Sequence, residues 1–556
     1  QGGMRIGDGA TNGSFAGDIA VNAGTALTFN RSDSYSYGGS LSGAGTVFVG
    51  AGILNLTGNS NLGGNITAQP NSQLRINAGN TVSTTGMATA QGSVLTVSGV
   101  GSTLNTSRVN AVVTSPNGAA INVPNGGLTR TTGGTGMQLR TLTGTGSADL
   151  NISGAGSLVE LGGSGQLSVA GTTAGHSEIT ISNGGSLRTG ILSTIGTLAG
   201  NTTASTIAVT DAGSNWTSSG ILLLRNAQLS VLNGGTVSFG SATIGTIAQG
   251  ANVLVSGAGS TFTTTGALTL GSTGANASGV LTLTDGGRAT AGTGLTLAED
   301  AGTSGTVNIG GVEGGPAAAA GFLDGAITFG PGTGELNFNH TEIDYLFAKS
   351  MTGLGTINHV AGTTRLTGDS SALISTTSVA GGTLLVDGIL GAGVSLVSVA
   401  TGGTLGGTGT IGGNVDIFDG NLNPGDVGGV PGRLTIAGNL YLAPAATLNV
   451  DFGQANVVGG TFNDLIDVGG NLVLDGTLNV QETPGGNFEP GVYRIINYGG
   501  SLTDNGLTVN AGYFVQTSVA NQINLVNTTG LTMRFWDGVN RGKNDGVITR
   551  GDRLGQ

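Results

Sequence analysis

The chain has 556 residues, among them 110 glycines and 10 prolines, while only 9% are charged and 4% aromatic. Disorder is excluded because 37% of the residues are apolar and alternate in short runs, and collagen is excluded because glycine does not recur at every third position. The net charge of −12, without a basic run, argues against nucleic acid as a partner. Repetitive β structure remains.

The sequence contains no cysteine, which excludes disulfides, thiolate metal sites and cysteine nucleophiles. This composition suits a bacterial protein that crosses an envelope unfolded, because a premature disulfide would block the passage. No apolar stretch reaches the roughly 18 residues of a membrane-spanning helix. The first residues, QGGMRI, lack the charged and apolar regions of a signal peptide, so we expect any export signal to be removed or to lie outside this sequence.

Residues 1–94 alternate apolar and polar positions without a fixed spacing, and we interpret them as irregular N-terminal coils of the repetitive fold. The segment RSDSYSYGG at 31–39 is predicted to be a loop that leaves the body of the fold. Its Tyr35 and Tyr37 are candidates for an exposed binding contact, because loop tyrosines offer a large contact area at low entropic cost.

Residues 95–302 repeat one pattern at intervals of 22 to 29 residues, which is typical of a solenoid. Each repeat has an apolar, a central and an apolar residue, then a glycine four positions later that is predicted to supply the positive φ of a tight corner. The apolar pairs are Leu95/Val97, Ile121/Val123, Leu150/Ile152, Ile179/Ile181, Ile207/Val209, Leu229/Val231, Val253/Val255 and Leu281/Leu283. The glycines are Gly101, Gly127, Gly156, Gly185, Gly213, Gly235, Gly259 and Gly287.

Each turn is followed by a second apolar position and, after another glycine, by a third short apolar segment such as 267–270 or 295–298. The second positions are Leu158, Leu187, Trp216, Val237 and Phe262. Three strands in about 25 residues predict an all-β fold, a right-handed parallel β-helix with three short strands per coil. Coils that stack about 4.8 Å apart would form a rod on the order of 100 Å long.

From residue 303 the sequence pattern changes. An alanine-rich segment at 310–321 is predicted to be a loop. Residues 381–415 then contain GGTLLVDGIL and GGTLGGTGTIGGNV, and residues 469–480 read GGNLVLDGTLNV. These motifs resemble the passenger-associated transport repeat of Gram-negative autotransporters, which use type V secretion. The resemblance covers roughly residues 300–530, with the transport repeat inside a β-helical segment at 303–440.

The resemblance implies a β-helical passenger at the bacterial surface or outside the cell, attached through a C-terminal outer-membrane β-barrel that this sequence does not contain. It also implies that the last passenger coils, 441–530, act as a folding nucleus, or autochaperone. Residues 531–556 would then be a tail or linker toward the missing segment. The expected partners are a host-surface or extracellular-matrix ligand or a second copy of the chain.

The sequence shows no constellation of catalytic groups, since its three histidines, His176, His340 and His359, are scattered. The segment GDSS at 368–371 is similar to serine-hydrolase motifs but is interpreted as a turn between two strands. A polysaccharide lyase would need clustered acids with calcium and a basic residue. The nearest acids have apolar neighbours and no clustered Arg or Lys; they are Asp464, Asp467 and Asp475.

Three further features are assigned structural roles. The tripeptide Arg550, Gly551, Asp552 has the form of an integrin ligand. Residues 537–545 contain acidic and amide side chains, as calcium-binding loops do, but lack the ligand spacing of an EF-hand. Both segments are interpreted as linker. Phe338, Tyr345 and Phe347 are predicted to lie in the core or in a cap.

We therefore expect a non-enzymatic adhesin without cofactor or metal. The sequence identifies no catalytic or metal-binding residue, and the ligand-binding residues are unknown apart from the two candidate tyrosines. A passive surface stalk and a polysaccharide-active β-helix enzyme stay open as alternatives.

Overall fold

A computed structural model describes residues 2–114, 118–134, 136–143, 146–171, 176–196, 203–247 and 249–531. These residues form sixty β-strands, nearly all paired in parallel with the strand one coil earlier or later. No helix long and apolar enough to cross a membrane occurs in this part of the chain. The predicted all-β fold, a parallel β-helix with three short strands per coil, is confirmed.

The strands are arranged in four sheets. The 32-stranded sheet carries two strands of most coils; its strands are Gly3–Ile6, Ala26–Tyr37, Thr46–Leu56, Ile66–Ala68, Ser72–Ile76, Met87–Gln91, Val94–Val97, Arg108–Thr114, Ala119–Pro124, Met137–Thr143, Ala148–Ser153, Leu167–Gly171, Glu178–Ser182, Leu192–Ile195, Ser205–Thr210, Ile221–Leu224, Ala227–Leu232, Ser241–Thr246, Gly250–Ser256, Leu268–Ser272, Ser278–Thr284, Leu295–Leu297, Ser304–Gly310, Ile327–Phe329, Thr333–Asn339, Met351–Ala361, Leu373–Val379, Leu396–Val399, Asn414–Ile417, Leu440–Leu442, Leu472–Leu474 and Leu502–Asp504. The 13-stranded sheet carries the remaining strand of the earlier coils: Ile19–Ala20, Leu41–Gly43, Ser60–Leu62, Thr81–Thr84, Thr103–Thr106, Leu128–Thr131, Leu158–Leu161, Ser186–Thr189, Asn215–Ser218, Thr236–Phe239, Thr261–Thr264, Arg288–Ala291 and Phe322–Asp324.

After residue 340 two smaller sheets replace the 13-stranded one. The seven-stranded sheet consists of Tyr345–Phe347, Thr363–Leu366, Gly382–Val386, Gly403–Gly407, Asn421–Pro424, Thr447–Gln454 and Thr477–Asn487. The eight-stranded sheet consists of Asp369–Ser370, Ile389–Leu390, Thr410–Ile411, Arg433–Ile436, Leu465–Val468, Gly491–Tyr498, Tyr513–Gln516 and Gln522–Asn527, and its last strands are antiparallel. The parallel ladder ends there.

The core is a continuous column of stacked apolar side chains. Every member of the eight apolar pairs is buried, and each stacks in register on its counterpart, as Val253 does on Leu281 and Val255 on Leu283. The period-two pattern places one set of side chains inside the coil and the alternate set outside. Apolar burial between neighbouring coils therefore holds the rod together.

One predicted core position is wrong by one residue. Leu158 is only half-buried and stacks on Ser186, whereas Val159 is buried and stacks on Leu187. The turn in this coil is followed by two apolar residues in succession, so alternation alone does not distinguish them. Trp216, Val237 and Phe262 are buried as predicted.

The corner glycines serve two different purposes. At Gly101, Gly156, Gly213 and Gly259 the φ angle is between 82° and 87°, as predicted. At Gly127, Gly185, Gly235 and Gly287 the positive φ falls instead on the two preceding residues, such as Asp285 and Gly286. Glycine is required there because the previous coil approaches closely: a Cβ on Gly287 would lie 2.3 Å from the carbonyl oxygen of Val255.

The expectation of a loop at 31–39 is also wrong. Residues 26–37 form one strand that pairs in parallel with Thr46–Leu56, with irregular register after Phe29. By contrast, residues 311–321 connect two strands as a loop, as expected.

Candidate ligand groove

The two tyrosines proposed as an exposed contact both bond to the N-terminal segment of the chain. Tyr37 is fully buried, and its hydroxyl donates to the carbonyl oxygen of Gly17 at 2.6 Å. Tyr35 is half-buried, and its hydroxyl donates to the carbonyl oxygen of Phe15 at 2.8 Å. Both side chains fasten the N-terminal segment to the first coils, so Tyr37 is not an exposed contact, and Tyr35 presents only part of its ring to solvent.

The residues that resemble a serine-hydrolase motif have structural contacts. The side chain of Ser371 and its backbone N–H, which lies 2.9 Å from the carboxylate, both donate to Asp369 and lower the pKa of its carboxyl. Ser370 is buried, and its hydroxyl accepts from the N–H of Met351 at 3.0 Å. A short strand leading into a turn accounts for this segment, as predicted.

The three acids considered for a lyase have separate partners. Asp464 is buried and accepts two backbone N–H groups, Asp467 contacts Arg433 and the amide of Asn497, and Asp475 accepts from the N–H of Gly476. No cluster of three His, Cys, Asp or Glu side chains able to hold a metal occurs among the described residues. Residues 537–545 and the tripeptide at Arg550, Gly551 and Asp552 lie outside the described residues.

Polar ladders run along the outward-facing positions of the strands. In the longest, the amide of Asn358 donates to Asn337, Asn337 to Asn308, and Asn308 to the hydroxyl of Thr282, over distances of 2.9 to 3.2 Å. Asn308 and Asn337 are nearly inaccessible to solvent. These bonds link successive coils, so this ladder is mainly structural.

A second asparagine ladder faces an open groove on the seven-stranded sheet. The amide of Asn449 donates to Asn423 at 2.6 Å, and the amide of Asn479 donates to Asn449 at 3.0 Å. Asn421, Thr404 and Thr383 occupy one register row beside this ladder. Asn423 and Asn449 of the ladder form the groove floor with this row, and all five side chains are half-buried.

The groove encloses about 530 Å³. One wall is the segment 425–432, hereafter the wall loop, which follows the strand Asn421–Pro424. The opposite wall is formed by Gln481, Glu482 and Pro484 from the last strand of the sheet. The tip of the wall loop reaches across to this side, since a Cβ on Gly429 would lie 3.6 Å from Cδ of Pro484.

Two anchors hold the wall loop. The guanidinium of Arg365 bonds to Asp426 at 2.7 Å while also contacting Asp387 at 2.5 Å and Asp344 at 3.2 Å. At the far end the N–H of Gly432 donates to the buried carboxylate of Asp464 at 2.7 Å. The groove is therefore formed before any ligand arrives.

The acids of this region differ in their electrostatic surroundings. The hydrogen bond from Arg365 lowers the pKa of Asp426. Burial raises the pKa of Asp464 to about 8, although two backbone N–H groups oppose this effect. Burial also raises the pKa of Asp451, which lines the groove floor.

Among the acids that line the groove, Asp451 differs because its carboxylate has no hydrogen-bond or ion-pair partner within the described part of the chain, whereas its own N–H donates to Asp464. Beside it, Glu482 accepts a 3.3 Å hydrogen bond from the N–H of Phe488. The residues that line the groove include no Lys, Arg or His. The arrangement presents many hydrogen-bonding groups and a negative charge, and it offers no cationic group to a ligand.

The sequence analysis did not identify this groove. Its floor, wall loop and opposite wall come from coils that are separated by about one period each and meet only when the coils stack. The signal that could have revealed it is the segment PGDVGGVPG at 424–432, which interrupts the strand spacing with an acid among glycines and prolines.

The sequence is similar to a curated protein of known type. No family model matches the sequence. The chain is 40% identical over 363 residues to a protein named Adhesin BmaC autotransporter, from Brucella suis biovar 1 (strain 1330). The match covers 63% of this chain but only 10% of the length of the relative. This similarity confirms the resemblance to autotransporters that the glycine-rich motifs indicated.

Proposed function

We propose, from this relationship to an autotransporter adhesin, that the chain is a passenger segment displayed at the bacterial surface as a non-enzymatic adhesin. Its observed form supports the proposal: a long β-helix carries polar ladders on its outward-facing positions and a preformed groove. A rod of this kind suits weak contacts that are multiplied by avidity when many copies are displayed together. The expected partners are host-surface or matrix components, or another copy of the chain.

The groove itself favours binding over catalysis. Acid–base chemistry on a bound substrate needs a positioned proton donor and acceptor. His340 and His359 are buried in the core and are not among the groove-lining residues. The lining amides and hydroxyls orient a ligand without activating it.

A specific feature nevertheless favours a second candidate function, a polysaccharide-active enzyme. Glycoside hydrolases use two carboxyl groups, one of them an acid with a raised pKa. Asp451 and Glu482 lie on neighbouring strands of the groove, and burial raises the pKa of Asp451. Release of reducing ends from a glycan incubated with the chain would establish this enzyme and contradict the non-enzymatic adhesin.

Adhesion is tested with beads that carry the chain of residues 1–556. We expect them to attach to cultured cells or matrix-coated plates, or to clump, at neutral pH and moderate salt, while beads that carry an unrelated β-helix of similar charge stay dispersed. Coated beads that neither attach nor clump would contradict the proposal and favour a passive stalk.

A further inference from the structure

We propose that the groove between the wall loop and the strand Thr477–Asn487 is a binding site for hydroxyl-rich oligosaccharides that carry no negative charge, either neutral or amino sugars. This inference rests on the proposed function in one respect, that the chain captures ligands. It goes further by naming the site, the residues and the chemical class.

The floor supplies the hydrogen-bonding groups that a sugar requires. A carboxamide both donates and accepts, as does a hydroxyl, so Asn421, Asn423, Asn449 and Thr404 can each meet sugar hydroxyls in either role. The mutual bonds in this ladder hold each amide in one orientation. Such fixed donors and acceptors bind with little loss of side-chain freedom.

The acids supply the strongest contacts. The Asp451 carboxylate lies half-buried on the floor and lacks a partner within the described residues, so it is desolvated without compensation. A pair of neighbouring sugar hydroxyls or a sugar ammonium would donate hydrogen bonds to the carboxylate and replace the water that it has lost. Hydrogen bonds to a charged group are stronger than bonds between neutral groups.

The same charges exclude anionic ligands. Asp426, Asp451 and Glu482 line the groove, and the nearby cation, Arg365, is shared among Asp344, Asp387 and Asp426. A sulfate or carboxylate group in the groove would therefore meet repulsion without a cationic partner. Sulfated and sialylated glycans should not bind.

The size and apolar surface of the groove also fit an oligosaccharide. Its volume of about 530 Å³ lies within the roughly 300–1,000 Å³ that is usual for ligand pockets. Pro484 and Val427 are exposed on opposite walls and offer apolar contacts for the C–H faces of sugar rings. The floor runs across several coils, so a linear chain of sugar units can lie along it.

The test uses the chain of residues 1–556 on an array of neutral, amino-sugar, sialylated and sulfated oligosaccharides, with a lysine-rich peptide as a further probe. Dissociation constants are then measured by calorimetry. We expect saturable binding to a neutral or amino oligosaccharide and none to the sulfated or sialylated probes. Asp451→Asn should weaken that binding at least about tenfold, because it removes a charge-assisted bond.

Asp416→Asn is the matched control. Asp416 is also a carboxyl whose pKa is raised by burial, but it lies on the 32-stranded sheet and not in the groove. It should leave oligosaccharide binding unchanged. Neither substitution removes a contact that is recorded for its carboxylate within the described residues, so both variants should melt at or above the temperature of the parent chain.

Four outcomes would overturn the proposal: no binding to any neutral or amino oligosaccharide, preference for sulfated or sialylated probes, binding of the lysine-rich peptide alone, or equal binding by the Asp451→Asn variant. The bead assay separates this result from the proposed function. Beads that adhere while every oligosaccharide fails would refute the groove proposal alone, and oligosaccharide binding by beads that never adhere would refute the adhesin alone.

Discussion

A buried histidine pair should make the middle of the rod sensitive to mild acid. His340 and His359 are inaccessible to solvent and share the hydroxyl of Thr364, which lies 2.8 Å from Nε2 of His340 and 3.1 Å from Nε2 of His359. The carbonyl oxygen of Gly381 can only accept, so Nδ1 of His359 donates to it. Both Nε2 atoms and the hydroxyl then form one chain of neutral hydrogen bonds, in which Thr364 donates to His359 and accepts from His340.

Burial sets the size of the effect. It lowers the pKa of His359 from 6.5 to about 4, and it also lowers the pKa of His340, against the opposing attraction of Glu342. The unfolded chain binds this proton near pH 6.5 and the folded chain only near pH 4, so the free energy of unfolding falls as the pH drops through that interval. For His359 alone the loss is about 2 kcal/mol at pH 5 and reaches about 3 kcal/mol below pH 4.

Amide hydrogen exchange measures this directly, because local opening of a coil exposes its backbone. After correction for the intrinsic rate, peptides within 336–366 should exchange about thirtyfold faster at pH 5 than at pH 7.5, which corresponds to about 2 kcal/mol, while peptides within 221–297 change little. His359→Gln should remove most of this difference, and His176→Gln, a change at an accessible histidine, should preserve it. Equal protection at both pH values would refute the reasoning.

Two further predictions concern the coil that ends near residue 287. Leu283→Asp should unfold its own coil and destabilise its neighbours, because an unpaired charge replaces a buried side chain. Thr282→Asp, at a half-buried outward position where a carboxylate can still accept from Asn308, should cost much less. Urea unfolding compares the two, and equal damage would show that the inward and outward assignments are wrong. Gly287→Ala should cost at least about 1–3 kcal/mol, because its Cβ would meet the Val255 carbonyl at 2.3 Å. Gly250→Ala, whose Cβ has no neighbour within 3.8 Å, should be nearly neutral, and similar melting temperatures for both alanine variants would contradict the close approach.

The repeat could be predicted from the sequence because each coil makes the same local choice. Alternation identifies the inward residues wherever polar and apolar positions strictly alternate, as at Leu281 and Leu283, and it fails where they do not, as at Leu158 and Val159. The tyrosines of 31–39 show a different limit. The serine and aspartate residues beside them are typical of a loop, but the segment pairs with the strand Thr46–Leu56, and this pairing directs the side chain of Tyr37 into the core.

The groove could not be predicted, because its parts are distant in sequence. Asp426 lies in the wall loop, whereas Asp451 and Glu482 lie on two different strands. Nothing in the local sequence indicates that the three side chains line one concave surface. Their arrangement depends on the register of stacked coils and on the bond from Arg365 to the wall loop.

The most direct test of the adhesin function is an array that carries extracellular-matrix proteins, glycans and the chain itself, probed with residues 1–556 while released sugars are measured in the same wells. We expect saturable binding to at least one partner without sugar release. Sugar release would identify an enzyme, and the absence of binding on every spot would contradict an adhesin and leave a passive stalk.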